Sequence, residues 1–393
     1  MFLHTLGREW GVYIGRQKHK IGLIVNPIAG LGGPLGKKGT DDPDTVREAL
    51  SRGLQKRSID RAARALRYIR DVFDGVILAP SGEMGELSIS RAGLAHRFRP
   101  ISYKPSYPST KEDTIKSAKE MSELGVDLLL FAGGDGTAKD LYEAVDASLV
   151  VLGIPSGVKV FSSVFAETPE DAGRVLLEFL EGSTETTYGE VIDISELDYR
   201  RGVFSPRVVG TMKVPSSPLI QRGKDLPEID EVVLDGIFRY IKDRVSNYEI
   251  VVLGPGRTVS YIAKKMGIEK NPATVDAIVK GVVHRDVNYF QMRDILDRTL
   301  GRVLVILSPI GGTGFLLGRG NHQLIPAVRR AKWDEDIIVI STPEKIRGLR
   351  SLIVDVDEFL GDIPSYIRVI TGYRDEKIMR VWFSGQYHER TID

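Results

Sequence analysis

The segment from residue 127 to residue 137 constrains the fold of this chain more than any other. Its apolar run, residues 128–132, is typical of a buried strand and ends at the turn Gly133-Gly134-Asp135-Gly136-Thr137. An amphipathic helical pattern begins directly after that turn. A strand, a glycine turn and a helix N-terminus in this order direct backbone N–H groups at an anion, most often a phosphate. The segment therefore predicts an α/β fold with a phosphate-binding turn.

Asp135 adds a carboxylate to this turn, which phosphate binding alone would not favour. A carboxylate beside a phosphate can hold Mg²⁺ or accept the proton of an attacking hydroxyl group. An acidic residue that caps the following helix is the alternative, although the glycines on both sides of Asp135 exceed what capping requires. Because nothing apolar in the turn depends on it, we expect Asp135 to be required for turnover and to matter little for folding.

Three further apolar strands end in turns of the same kind. They are residues 20–25 before the turn 26–33, residues 75–79 before 80–86, and residues 148–154 before 155–159. Because parallel strands place their carboxyl ends along one edge of a sheet, we expect a doubly wound sheet whose turns line one shared ligand cleft. The candidate nucleotide- and phosphate-binding residues are Asn26, Gly30, Gly32, Gly33, Gly133, Gly134, Gly136, Thr137, Pro155, Ser156, Gly157 and Lys159. A plain surface loop at 26–33 and a solvated Lys159 are the open alternatives.

The sequence pattern changes near residue 184, where alternating Thr, Tyr, Val and Ile residues predict strands. Two later strands, residues 248–253 and 303–307, again end in glycine turns. We therefore expect an N-terminal extension over 1–19, a Rossmann-like nucleotide-binding domain over 20–184, and a second, mixed α/β, substrate-binding domain over 185–393. The active site is expected at the junction of the two domains.

The second domain is expected to select the substrate, because its turns carry groups that can form hydrogen bonds with a particular ligand. Asn321 and two threonines can bond the edges of a ribose or an adenine, and Arg319 lies between two glycines where a long cation can reach a phosphate. An ordinary surface arginine at 319 and an exposed turn glutamate at 83 are the alternatives. The candidate substrate-binding residues are Glu83, Gly254, Gly256, Thr258, Gly311, Gly312, Thr313, Gly314, Arg319 and Asn321.

Composition narrows the partners and the surroundings of the protein. The 54 basic residues nearly balance the 53 acidic ones, which argues against an electrostatic nucleic-acid binder. The absence of cysteine excludes disulfides, thiolate zinc sites and a cysteine nucleophile. No apolar run approaches a membrane span or a signal peptide, so we expect a cytoplasmic protein without a membrane partner. Few asparagines among many charged residues are typical of a thermophilic source.

These motifs as a set resemble the archaeal-type ATP-NAD kinase family. The turn at 133–137 is shared by NAD kinases, by diacylglycerol and sphingosine kinases, and by phosphofructokinases. The segments that narrow the resemblance are 21–30, 82–86, 153–159 and 308–326. Two departures stand out: no Asn-Glu or Asn-Asp pair occurs between 184 and 300, and the second domain contains a strand, a turn and a helix where ordinary NAD kinases are all β.

The resemblance implies a kinase that transfers a phosphoryl group from ATP, or from polyphosphate, to the 2′-hydroxyl of the adenosine ribose of NAD, giving NADP. It implies Mg²⁺ or another divalent cation, with Asp135 acting on the hydroxyl group or holding the metal. A homo-oligomer, dimer or tetramer, is expected by analogy. Two alternatives stay open: a kinase of the same superfamily that acts on another small alcohol, sugar or lipid, and a nucleotide sensor without turnover.

Overall fold

The computed structural model describes residues 19–37, 39–40, 42–145, 148–158, 160–195, 206–221, 230–310, 314–356, 358 and 360–384. The strands are β1 Lys20–Val25, β2 Val76–Ala79, β3 Phe98–Pro100, β4 Leu128–Gly133, β5 Val150–Pro155, β6 Thr186–Ile194, β7 Pro206–Pro215, β8 Ile250–Leu253, β9 Asp276–Val279, β10 Val282–His284, β11 Val303–Leu307, β12 Phe315–Gly318, β13 Ile337–Ile340, β14 Leu352–Asp355, β15 Tyr366–Gly372 and β16 Asp375–Phe383.

The α-helices are α1 Pro43–Ser51, α2 Arg57–Arg67, α3 Glu86–Arg91, α4 Lys111–Glu123, α5 Asp135–Ala144, α6 Pro169–Leu180, α7 Glu231–Val245, α8 Arg257–Lys265, α9 Tyr289–Arg298, α10 Ile325–Arg330, α11 Trp333–Asp336 and α12 Pro343–Arg347. Short 3₁₀ helices are η1 Gly82–Met84, η2 Ala95–Arg97 and η3 His322–Leu324.

The first sheet has the strand order β3-β2-β1-β4-β5-β7-β6, and its strands from β3 to β5 run parallel. Every residue of β4 and of β5 is buried, which explains the continuous apolar runs, because helices cover both faces of a parallel sheet. The predicted doubly wound fold is confirmed. The antiparallel pair β6 and β7 extends this sheet, so that it continues beyond the boundary predicted near residue 184.

The first sheet has its topological switch point between β1 and β4. After β1 the chain passes through α1 and α2 to β2 on one side, whereas after β4 it passes through α5 to β5 on the other side. A crevice opens between the carboxyl ends of two such strands, and ligands of open α/β sheets bind there.

The second sheet has the order β10-β9-β8-β11-β13-β15-β16-β14-β12, with β8, β11, β13 and β15 parallel. Its two faces are buried separately: Val251 and Leu253 pack with α7 and α8, whereas Ile250 and Val252 pack in the cluster that contains α10. The predicted mixed α/β character of this half is confirmed, and the predicted strand, turn and helix are β8, the turn 254–256 and α8.

A buried ion cluster joins the two sheets. Arg61 of α2 donates two hydrogen bonds to the carboxylate of Asp355, at 2.8 and 2.9 Å, and Arg319 donates a third at 3.1 Å. All three residues are at most 4% exposed. Burial opposes the charge of Asp355, but the guanidiniums of Arg61 and Arg319 outweigh it and hold the pKa of Asp355 well below its ordinary value.

The cluster belongs to a row of arginines along one face of α2. Arg57, Arg61 and Arg64 are spaced at i, i+4 and i+7, which places them on the same side of a helix. Arg57 pairs with Glu358, and Arg64 donates to the hydroxyl of Ser384 at 2.5 Å. Helix α2 therefore holds the second sheet in one orientation relative to the first.

Replacing Asp355 by Asn is expected to lower the free energy of unfolding by about 3–5 kcal/mol, because two buried guanidiniums would lose their counter-charge. Urea denaturation of the full chain measures this loss. Asp294→Asn is the matched control, since Asp294 pairs with Arg298 at the surface with a side chain that is 55% exposed; it should cost less than about 1 kcal/mol. Equal losses in the two variants would contradict a stabilising role for the buried cluster.

Candidate active site

Asn26 joins the two turns that flank the crevice between β1 and β4. Its side-chain amide nitrogen donates to the hydroxyl of Thr137 at 3.1 Å, and its side-chain oxygen accepts from the backbone N–H of Ile28 at 3.2 Å. The first contact spans 111 residues of sequence and connects the end of β1 with the start of α5. Asn26 thus shapes the crevice, and its side chain holds protein groups in this arrangement.

The glycines of three turns pack backbone against backbone beside Asn26. A Cβ atom on Gly30, whose φ is +85°, would lie 2.4 Å from the carbonyl oxygen of Ser156. One on Gly134 would lie 3.2 Å from the Cα of Gly157. The structure therefore brings together the turns after β1, β4 and β5. At Gly136 an added Cβ would meet nothing within 4 Å, so this part of the first turn of α5 borders open space.

Asp135, the first residue of α5, lies 8% exposed at this junction. Its carboxylate accepts from the backbone N–H groups of Phe161 and Ser162, at 3.0 and 2.9 Å, and from the Ser162 hydroxyl at 2.6 Å. The Ser162 hydroxyl oxygen in turn accepts from the backbone N–H of Ile192 at 2.9 Å. Asp135 therefore anchors the segment after β5, and the expectation that folding makes little use of it was wrong.

The turn after β1 also contacts the second sheet. The backbone N–H of Tyr289, the first residue of α9, donates to the carbonyl oxygen of Pro34 at 2.9 Å. A Cβ atom on Gly33 would lie 2.9 Å from Nδ1 of His322 in η3. The turn 26–36 thus lies between the crevice at β1 and β4 and the helix η3.

Three consecutive polar side chains at the start of η3, those of Asn321, His322 and Gln323, are buried. They are 1%, 6% and 6% exposed. The Asn321 amide nitrogen donates to the carbonyl oxygen of Leu316 at 2.9 Å. Within the described part of the chain, Oδ1 of Asn321, Nδ1 of His322 and Oε1 of Gln323 have no hydrogen-bond partner.

His322 is uncharged at neutral pH. Burial lowers its pKa to about 3, and the nearby positive charges of Arg57 and Arg61 act in the same direction. The sequence interpretation singled out Asn321 and missed His322, although the histidine directly follows the Gly318-Arg319-Gly320-Asn321 turn. That position next to a predicted ligand turn was the available signal.

The other predicted residues have varied surroundings. Arg319 is bound to Asp355 and to the carbonyl oxygen of Glu167, so its predicted role as a phosphate ligand gives way to a structural one. Glu83 forms an ion pair with Lys56 at 2.6 Å. Thr258 lies buried in the first turn of α8, directly after the turn 254–256 that contains Gly254 and Gly256.

Some predicted residues serve the backbone of the turns. A Cβ atom on Gly32 would lie 2.4 Å from the carbonyl oxygen of Gly39, and one on Gly314 would lie 2.6 Å from that of Ser351. The Pro155 carbonyl oxygen accepts from Arg61 at 3.1 Å, which ties the turn after β5 to the ion cluster. The candidates outside the described residues are Lys159, Gly311, Gly312 and Thr313.

Two family models match this chain. The model of the ATP-NAD kinase N-terminal domain matches residues 21–184, and that of the ATP-NAD kinase C-terminal domain matches residues 246–381, so that the matches together span more than half of the chain. The chain belongs to the ATP-NAD kinase family. It is therefore a phosphotransferase with an alcohol acceptor, and the predicted NAD kinase family is confirmed, whereas its archaeal type stays a prediction. No curated protein matches the chain.

Asp135 is the candidate ligand for a magnesium ion. Among the described residues, no group of three or more His, Asp or Glu side chains could hold a metal ion by itself. Magnesium in phosphoryl-transfer enzymes keeps several waters and is held by one or two carboxylates together with substrate phosphates. The carboxylate of Asp135, in the crevice between β1 and β4, could therefore bind a magnesium ion that enters together with a nucleotide. None of the described helices is long and apolar enough to cross a membrane.

The buried His322 should make the kinase less stable in acid. Its pKa is about 3 in the folded protein and 6.5 without the fold, so the unfolded chain binds one more proton between these pH values. Stability should fall as the pH drops below about 6.5, by up to about 1.4 kcal/mol per pH unit from this residue. His322→Gln should flatten the dependence measured by urea denaturation between pH 4 and 7. The exposed His96 provides the control, and an equal change in His96→Gln would contradict the assignment.

Proposed function

We propose that this kinase transfers the terminal phosphoryl group of ATP to the 2′-hydroxyl of the adenosine ribose of NAD, giving NADP. The observation that carries the proposal is the convergence of three glycine turns on one crevice, with the carboxylate of Asp135 at the start of α5. Membership of the ATP-NAD kinase family supports NAD as the acceptor.

The crevice supplies what a loose phosphoryl-transfer transition state needs, namely positioning and neutralisation of charge. The backbone N–H groups of the turn 133–137 and the first turn of α5 would hold the phosphates of ATP, aided by the positive end of the helix dipole. Magnesium, when bound, would neutralise charge on the phosphate oxygens. The open space at Gly136 gives the nucleotide access to this helix end.

Asp135 would serve the acceptor hydroxyl group. As the bond between the 2′-oxygen and the γ-phosphorus forms and the bond to the leaving ADP breaks, the carboxylate would accept the hydroxyl proton. The N–H groups of Phe161 and Ser162 and the Ser162 hydroxyl hold the carboxylate in a fixed direction before substrate binds. A group that is already oriented needs little reorganisation at the moment of reaction.

Asp135→Asn should lower kcat by about two orders of magnitude or more, because the amide cannot accept the proton. Steady-state kinetics of the folded variant measure this loss. Since Asp135 also anchors the chain, Ser162→Ala is the matched control: it removes the shortest hydrogen bond to the carboxylate but leaves the carboxylate in place. We expect Ser162→Ala to lose less than about tenfold. A loss in Ser162→Ala as large as in Asp135→Asn would assign Asp135 to anchoring alone.

The reaction itself is tested with purified protein, ATP, Mg²⁺ and NAD, with NADP as the measured product. We expect NADP to form with ATP, and a parallel reaction with polyphosphate identifies the donor. ATP consumption without NADP, in the presence of other alcohols, sugars or lipids, would replace NAD by another acceptor. Nucleotide binding without any turnover would leave a sensor and overturn the proposed function.

A further inference from the structure

The turn after β1, residues 26–36, has few contacts of its own that fix its shape. Most of its backbone hydrogen bonds join residues only three positions apart, as from the N–H of Gly33 to the carbonyl oxygen of Gly30 at 3.1 Å. Gly30 and Gly36 have φ angles of +85° and +76°, and glycine is the residue with the largest choice of backbone conformations. The shape of this turn therefore depends on the groups that pack against it.

This shape matters because the turn offers hydrogen-bond donors beside the crevice between β1 and β4. Within the described part of the chain, the backbone N–H groups of Gly30 and Gly32 form no hydrogen bond. Gly30 also lies against the turn after β5, since an added Cβ would be 2.4 Å from the carbonyl oxygen of Ser156. Backbone N–H groups in a turn bind a phosphate only when they converge on it. A displaced turn would therefore bind phosphate more weakly.

A small apolar cluster, separate from the large cores of the two sheets, holds the turn. Leu31 and Leu35 of the turn are 2% and 6% exposed, and together with Ala49 of α1 they form the buried part of this cluster. Three partly buried apolar residues pack against it: Ile28, Leu54 and Phe290. Among these described members, only Phe290 belongs to the half of the chain that forms the second sheet. Phe290 therefore connects the turn with the second sheet.

Phe290 is itself held firmly in place at the start of α9. The side-chain oxygen of Asn288, which caps this helix, accepts from the backbone N–H of Phe290 at 3.0 Å. Further along α9, Met292 and Leu296 are buried in the core of the second sheet. The guanidinium of Arg52 lies over the Phe290 ring, 4.4 Å from its centroid. The ring is thus a fixed surface against which the turn rests.

Further contacts accompany the ring at the end of the turn. The backbone N–H of Tyr289 donates to the carbonyl oxygen of Pro34 at 2.9 Å. A Cβ atom on Gly36 would lie 4.0 Å from the Cβ of Asn288 and 3.5 Å from Nε2 of Gln323. The start of α9 and the helix η3 therefore both touch the last residues of the turn.

We propose that Phe290 is a positioning residue for the turn after β1. By packing against the cluster of Leu31, Leu35 and Ala49, its ring holds the turn in the shape that binds the phosphates of ATP. Phe290 acts through the turn, and this role requires no contact with ATP. The assignment of the turn to the phosphates of ATP rests on the proposed function, whereas the packing of the turn against Phe290 does not.

Loss of the Phe290 ring should affect the donor more than the acceptor. A turn that adopts its binding shape for only part of the time binds its ligand with an apparent affinity lowered by that fraction. A saturating donor selects the binding shape again, so the KM for ATP should rise while kcat changes little. A ring that served only the stability of the fold would leave both constants unchanged in the folded protein.

The test is isothermal titration of the full chain with three probes: a non-hydrolysable ATP analogue, inorganic tripolyphosphate, and NAD. We expect Phe290→Ala to weaken the ATP analogue and tripolyphosphate by at least about tenfold, and NAD by less than about twofold. Phe290→Val and Phe290→Leu should show progressively smaller losses, because a larger side chain refills more of the contact. Phe238→Ala is the matched control, since Phe238 of α7 is also partly buried but packs on the opposite face of the second sheet.

The outcomes separate the positioning role from the reaction. Unchanged affinity for the ATP analogue and tripolyphosphate in the folded Phe290 variants would overturn the proposal, even if NADP is formed. An equal loss in Phe238→Ala, or an equal loss of NAD affinity, would overturn it too, because general damage to the fold would then be the cause. Tripolyphosphate binding that depends on Phe290 in a protein that makes no NADP would uphold the positioning role and reject the proposed function. Thermal unfolding verifies the fold, and the Val and Leu variants decide the question if Phe290→Ala is unfolded.

Discussion

The position of Asp355 between Arg61 and Arg319 is the interaction on which the rest of the structure depends. A buried carboxylate is tolerated only when its charge is balanced and hydrogen-bonded, and here both guanidiniums are needed. The three residues come from α2, from the turn after β12 and from the end of β14, so they meet only when the two sheets are docked correctly. A misdocked chain would leave at least one buried charge unpaired.

This cluster reaches the phosphate turns through main-chain contacts. Arg61 binds the Pro155 carbonyl oxygen, and Arg319 binds that of Glu167, so both ends of the segment after β5 are tied to the ion cluster. Between these ends, Gly157 packs against Gly134, and Phe161 and Ser162 bind Asp135. The orientation of the carboxylate is therefore coupled to the docking of the sheets, which suits a reaction that depends on positioning.

Prediction from sequence succeeded where the physical cause is local. Apolar runs that end in glycine turns predicted β1, β4, β5, β8 and β11, because burial on both faces and close backbone approach restrict the residue types allowed there. It failed for Arg319, whose flanking glycines suggested a ligand-binding arginine. Its partner Asp355 is 36 positions further along the chain and has no pattern that links the two. The anchoring of the segment after β5 by Asp135 was hidden for the same reason, since its donors follow 26 and 27 positions later.

The sequence by itself determined the parallel strands, their glycine turns, the carboxylate at Asp135 and the kinase family, because these depend on backbone sterics and on neighbours within a few residues. Tertiary structure alone decided which charges neutralise one another and why His322 is neutral. Those properties depend on distance and burial among groups far apart in the chain. Tertiary structure also decided the position of the crevice between β1 and β4, because a switch point is a property of strand order, which only the folded sheet possesses.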